Sequence, residues 1–297
     1  MALKLSGYVD LPEHKAKGGF DHAAVHAASG HVYVAHTAND AVDVFDTQGY
    51  LFSIPGLARV AGALVSDAAS LIFSSNRAEN TIGIFAPGPD PAVVKIEVGA
   101  APNGLAYDSG RKLLLAAGLA TITTLDVEGR AARTTFAAPG RTRWTVFDEA
   151  AGLFYVNVMD PAVIAVVDAR KPDRLAHMFA VPAAGPHGLD LDPDTRRLFC
   201  ACDAGRLFAL DATSGKILAE AELSGTPDVI WFHRRLRQLH VAVGDPGVID
   251  VFDTRGLKRI GQVQTERGAH TTALCLASDR LYAFLPLTHR AAIYEPG

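Results

Sequence analysis

Apolar and polar residues along this chain fall into short alternating runs, and the 3.6-residue spacing of amphipathic helices is nearly absent. A turn carrying Gly or Pro leads into an apolar run, a polar loop and a β-branched run; a polar turn and a run ending in Asp follow. The order recurs in HVYVAHTANDAVDVFDT from His31, LIFSSNRAENTIGIFAP from Leu71, LFYVNVMDPAVIAVVDA from Leu153, RLFCACDAGRLFALDA from Arg197 and QLHVAVGDPGVIDVFDT from Gln238. Each segment predicts two strands joined by a short turn, a β-hairpin with alternating apolar positions.

The residues just before the first apolar run of each repeat are Asp21, Ala61, Asn103, Arg143, His187, Asp228 and His270, spaced 40 to 44 residues apart. That period fits a four-stranded unit. From each of these anchors to the first apolar residue of the next strand the distance is 11 residues in six repeats and 10 in the repeat with Leu113. Two independent rulers therefore agree on seven units. The seventh ends after three strands, at IYEPG, while residues 3 to 11, LKLSGYVDL, resemble a fourth strand such as LKRIGQVQT from Leu257. The prediction is an all-β chain forming one seven-bladed β-propeller over residues 1–297, its ring closed by the N-terminal strand pairing into the C-terminal blade. Such closure leaves no unpaired blade at the seam.

The runs from His31 and Leu71 resemble the YVTN family of β-propellers, in which a Tyr-Val-x-Asn-like strand is followed by a polar, Asn-rich turn and a strand ending in Asp. The likeness extends over the whole chain, with departures at Gly118–Thr121 and Leu285–Arg290. It implies the propeller fold and relatives that include virginiamycin B lyase-like and lactonase-like proteins as well as propellers with no known chemistry, so function must be argued from the site.

Composition narrows the function classes. Hydrophobic residues make up 49% and charged residues 20% of the 297, enough for a sizeable core. A net charge of -4 with no long run of one sign argues against nucleic acid or an anionic membrane as partner. The N-terminal MALKLSGYVDLPEHKAKGG has no basic segment followed by an apolar one, and no stretch of about 18 apolar residues occurs, which predicts a cytoplasmic protein. Three cysteines, Cys200, Cys202 and Cys275, are too few for a disulfide framework. Cys200 and Cys202 are expected on one face of a strand, as buried thiols or a Cys-x-Cys metal pair.

In a propeller the innermost strand of every blade starts at one end of the central channel, so the seven anchors should ring its mouth. A purely structural ring would repeat one small or turn-forming residue, and this one reads Asp, Ala, Asn, Arg, His, Asp, His. His187, Asp228 and His270 are the candidate catalytic residues. With Asp21 and His22 they also form a donor set suited to a divalent metal, Zn, Mn or Fe, which would activate water or polarise a substrate oxygen. Asn103, Arg143 and Trp144 on the facing half are candidates for gripping a small anionic substrate, Arg through its planar fork. The turns between second and third strands should open on the same end and add His36, Asn76, Arg77, Glu79, Asp160, Asp203, Asp245 and His289, with His36 and Asn76 as further substrate contacts.

A metal-free route is also open, with His187 or His270 as general base and Asp228 orienting it. So is a hydrated, purely structural channel. No Gly-x-Ser-x-Gly elbow or phosphate-binding glycine loop occurs, so neither a nucleotide nor an organic cofactor is implied. The expected function is a hydrolase or lyase acting on a small anionic molecule, with metal assistance. The alternative is a non-catalytic propeller binding a partner protein or ligand on its face; the oligomeric state is left open. Two further features read more plainly: HRRLRQ from His233 as a solvated loop on the opposite end, and Glu13–Gly19 as slack for ring closure or a flap over the mouth.

Overall fold

The structure, a computed structural model, describes residues 3–297 and holds seven four-stranded antiparallel sheets. Each follows the repeat: in blade 1, Phe20–His26 pairs with His31–His36, then come Ala41–Phe45 and Tyr50–Ile54. The innermost strands of blades 2 to 7 are Val60–Ser66, Leu105–Asp108, Thr142–Asp148, Pro186–Asp192, Thr226–His233 and Thr272–Cys275. Each packs beside the next, and the last packs beside that of blade 1, so the circuit closes as a seven-bladed β-propeller. Among the described residues the helical structure is the 3-10 turn Thr37–Asn39, and no helix is long and apolar enough to cross a membrane.

Position within a blade explains the sequence pattern. Middle strands are covered by neighbouring blades on both faces and read as unbroken apolar runs, as in Leu113–Ala117 (LLLAA), buried throughout. Outermost strands lie where the blades splay apart, and Ile217–Glu222 (ILAEAE) alternates half-buried with exposed residues. The core is accordingly seven apolar layers, one between each adjacent pair of blades. Cys200 and Cys202 share a face in the layer between blades 4 and 5, and all three cysteines are buried free thiols. Burial holds the Cys200 thiol well above its usual range, which keeps it protonated.

Ring closure occurs as the repeat analysis predicts. Leu3–Asp10 pairs antiparallel with Arg290–Pro296 and becomes the outermost strand of blade 7. The register shifts between Leu5 and Gly7, and this bulge changes which face each later side chain meets. Leu3 enters the layer between blades 6 and 7, whereas Val9 enters the layer between blades 7 and 1. One short strand thus fills both layers flanking its blade.

The insert Glu13–Gly19 is pinned to blade 1 beside this seam. Lys15 N donates to Asn39 Oδ1 at 2.8 Å, and Asn39 Nδ2 donates to Glu13 O at 3.0 Å. His14 Nδ1 lies 2.7 Å from His36 Nε2, and His36 Nδ1 lies 2.6 Å from Asp43 Oδ2. On the opposite end, the basic loop after His233 is engaged with acids of neighbouring blades: Arg234 with Asp194, Arg235 with Asp279, and Arg237 with Asp192. Its charge is thereby spent on blade-to-blade contacts.

Candidate functional site at the channel mouth

Three glycines bring the inner strands unusually close at the mouth. Gly62, Gly104 and Gly188 each follow an anchor, and a Cβ added there would lie 2.6, 2.3 and 2.2 Å from the carbonyl oxygens of Asn103, Arg143 and Asp228 in the next blade. Only a residue without a side chain permits this approach. Since the Asp228 backbone sits against Gly188, Gly188→Ala must push apart the strands carrying His187 and Asp228. The expected loss is about 1–3 kcal/mol in chemical denaturation. Gly261→Ala, whose added carbon meets nothing nearer than 3.9 Å, is the control and should leave the midpoint almost unchanged. Equal midpoints for both variants would refute the close-contact reading.

The backbone of His187 is further fixed from blade 4, where buried Asn157 donates through Nδ2 to His187 O and Gly188 O at 3.0 Å each. Blade 2 uses the same device: Ser75 Oγ donates to Asn103 O at 2.8 Å and accepts from Gly62 N at 2.6 Å.

Around this frame the predicted catalytic residues meet. His187 Nδ1 lies 2.7 Å from Asp203 Oδ1, its Nε2 lies 3.1 Å from Asp228 Oδ1, and Asp228 Oδ2 lies 2.7 Å from His270 Nδ1. The result is a continuous chain, Asp203–His187–Asp228–His270, spanning blades 5 to 7. Burial disfavours the His187 cation, but the Asp228 charge and the hydrogen bonds to Asp203 and Asp228 outweigh it and push the imidazole up to about 9. His270 is raised as well: burial opposes its charge, and Asp228 overcomes that by hydrogen bond and by charge. Burial likewise opposes ionisation of Asp228, yet its two histidines hold it well below the usual carboxylate range. At neutral pH, then, Asp228 is a carboxylate between two imidazoles that favour the protonated form.

The other half of the ring is cationic. Arg77 reaches from its turn to Asp21 Oδ2 at 3.0 Å and Asn103 Oδ1 at 2.9 Å. Arg143 lies close enough to Asp228 and Asp203 to feel their charge, yet no carboxylate pairs with it among the described residues. Its Nε instead points at Met159 Sδ, 2.9 Å away. Beneath the ring, Trp144 packs edge-on against Trp231 with centroids 5.8 Å apart, and His22 packs against Trp144 with its ring tilted by 53° and centroids 4.2 Å apart.

Two predicted contacts are elsewhere. His36 is fully buried between Asp43 and His14, and Asn76 is fully buried inside blade 2 with Nδ2 donating to Thr81 Oγ1 at 3.0 Å. Both end their strands with side chains turned into the blade, which leaves Asn103 and Arg143 at the mouth and Trp144 beneath it. The five residues expected as metal donors are engaged with one another and with their neighbours. His187 uses both ring nitrogens and Asp228 both oxygens on each other and their neighbours, while His22 Nε2 sits 3.4 Å from Asp21 Oδ1. Among the described residues no three His, Cys, Asp or Glu side chains are placed to hold a metal ion.

Arg77 and Asp203, expected on the rim from their turns, reach the ring itself. Trp231 escaped the anchor pattern altogether: it stands three positions beyond Asp228, and the register shift between Pro227 and Ile230 brings it back to the channel.

The fold and mouth define the class: a closed seven-bladed propeller whose axis opens through a ring of paired carboxylates, imidazoles and guanidinium groups. No family model and no curated protein matches the chain.

Proposed function

We propose that the channel mouth is a general acid–base site acting on a small anionic molecule, as a hydrolase or lyase. The observation that carries this reading is Asp228 shared between two histidines beside an Arg143 that lacks a carboxylate partner. His187 has both nitrogens occupied and a pKa near 9, so it serves as a fixed positive charge. His270 commits only Nδ1 to Asp228 and leaves more than a third of its side chain accessible, at 39%. It is the group able to take or give a proton at Nε2, with Asp228 fixing the tautomer. Arg143 would hold the substrate's carboxylate or phosphate, and the His187 charge would add to the attraction. The resemblance of the hairpins to YVTN propellers, whose relatives include lyases and lactonases, is in keeping with this class.

The test is turnover of a panel of carboxylate-bearing lactones and β-eliminable hydroxy acids. His270→Gln should lower kcat by about 10²–10⁴-fold, and Arg143→Gln should act mainly on KM. Anion affinity should fall as pH rises through about 9, because the raised pKa of His187 means its cation is lost there. Absence of turnover across the panel, together with histidine NMR shifts that ignore added carboxylates, would instead favour the partner-binding propeller.

A further inference from the structure

Trp144 and Trp231 line a cavity that none of Asp203, His187, Asp228 and His270 borders. This separate chamber holds about 370 Å³, within the range of small-ligand sites. Its walls come from inner strands of blades 2 to 6. Leu64, Ala106, Val146, Asp190 and Trp231 stand at equivalent positions, three beyond their anchors, and Phe147 and Trp144 complete an aromatic side. Ala24 and Ala273 occupy the same position in blades 1 and 7. Six of these seven equivalent residues are apolar, and Asp190 is the exception.

That exception is held rigidly. Asp190 Oδ2 accepts from Phe232 N of the next blade at 2.6 Å, and Oδ1 accepts from Leu191 N at 2.8 Å. Each oxygen keeps a lone pair for a further donor. We propose that this chamber is a second binding site, for a small aromatic primary amine whose ammonium pairs with Asp190 and whose ring lies among Trp144, Phe147 and Trp231.

Several features select this ligand class. Two carboxylates, Asp190 and Glu149, supply too few oxygens for a hard metal cation, and both oxygens of Asp190 already accept from backbone N–H groups. Aromatic faces favour an organic cation over an anion. Glu149 lines the same chamber and disfavours anions further. The basic residue nearest the outer end, Arg234, is already clasped by Asp194 and does not neutralise Asp190.

Burial pushes Asp190 up to about 7, against the two backbone N–H donors, and the charge of Asp192 on the same strand adds to the rise. The other ionisable side chains facing it are Glu149 from blade 4, Arg234 from blade 6 and Tyr107 from blade 3. A bound ammonium selects the carboxylate form, so affinity must rise with pH across this value. Between pH 6 and pH 8 the ionised fraction, and with it the affinity, increases about tenfold.

The chain has two tryptophans and both border the chamber, so intrinsic fluorescence reads its occupancy directly. Titration with phenethylamine should saturate, tighten about tenfold from pH 6 to pH 8, and far exceed any response to phenylacetate; 2-phenylethanol should show no such pH dependence. Asp190→Asn should weaken phenethylamine at least tenfold and abolish the pH dependence. Ala106→Phe, which adds a ring to the blade 3 wall of the chamber, should block binding. A response that does not saturate, that is as strong for phenylacetate, that is flat with pH in the unmodified protein, or that survives Ala106→Phe would each overturn the proposal. The probe comparison and the pH series use the unaltered protein and so stand even if a variant fails to fold.

Discussion

Deleting residues 1–10 should cost the propeller roughly 5 kcal/mol or more and turn a cooperative unfolding transition into a broad or aggregating one. The strand Leu3–Asp10 makes seven residue pairs with Arg290–Pro296 and inserts Leu3 and Val9 into two different apolar layers. Burial of two such side chains alone is worth about 3–6 kcal/mol. Its removal also bares the edge of Arg290–Pro296, whose Ile293 and Tyr294 are buried in the intact ring, and an apolar exposed edge recruits other chains. The measurement is thermal and urea unfolding of the truncated chain, with light scattering. The peptide LKLSGYVDL added in trans should restore part of the midpoint, since strand addition supplies the same backbone bonds. A truncated protein that melts where the full chain does would show that the ring holds without this strand.

The same strand shows why the fold was legible and parts of the site were not. A propeller repeats one supersecondary unit, so a 40-residue period and a missing fourth strand can be read from letters alone, and the segment from Leu3 was identifiable by its likeness to the segment from Leu257. The bulge between Leu5 and Gly7 was not readable in advance, because it depends on how two ends of the chain meet. The anchors behaved likewise. That His187, Asp228 and His270 share one mouth follows from the period, but their order of contact depends on reach across blades. Asp203 engages His187 from a turn, and Arg77 crosses to Asp21. His36 and Asn76 turn into their blades because the last residue of a middle strand is still covered from both sides. Asp190 and Trp231 stand three residues past an anchor, where simple alternation would turn them to the other face; the register shifts between Pro186 and Gly188 and between Pro227 and Ile230 bring them back to the channel, and such bulges are not written in the letters.

These inward-facing polar residues raise a question of stability, most sharply at His240. It lies on the second strand of blade 6 beside Trp231 and Val251, both members of the layer between blades 6 and 7, and cross-strand neighbours share a face. Its exposure is 1%, and neither ring nitrogen has a protein partner among the described residues. Burial, reinforced by the charge of neighbouring His233, pushes its pKa down to about 3. The folded protein therefore keeps this imidazole neutral at pH values where the unfolded chain, near 6.5, has already bound a proton. Stability from this group is complete above pH 6.5 and drains away as the pH falls towards 3, reaching a loss of about 3 kcal/mol by pH 4. His14, His22 and His233 are also lowered, each chiefly by burial, and steepen the same acid limb. Replacing His240 with leucine removes both the acid penalty and the unsatisfied nitrogens. His240→Leu should accordingly be more stable than the parent by about 1–3 kcal/mol at pH 7, and the gap should widen by about 3 kcal/mol at pH 4. Urea midpoints at pH 7, 5.5 and 4 supply the comparison. Parallel loss of stability in both proteins over that range would mean that His240 finds a proton-accepting partner in the folded state and that the acid sensitivity arises elsewhere.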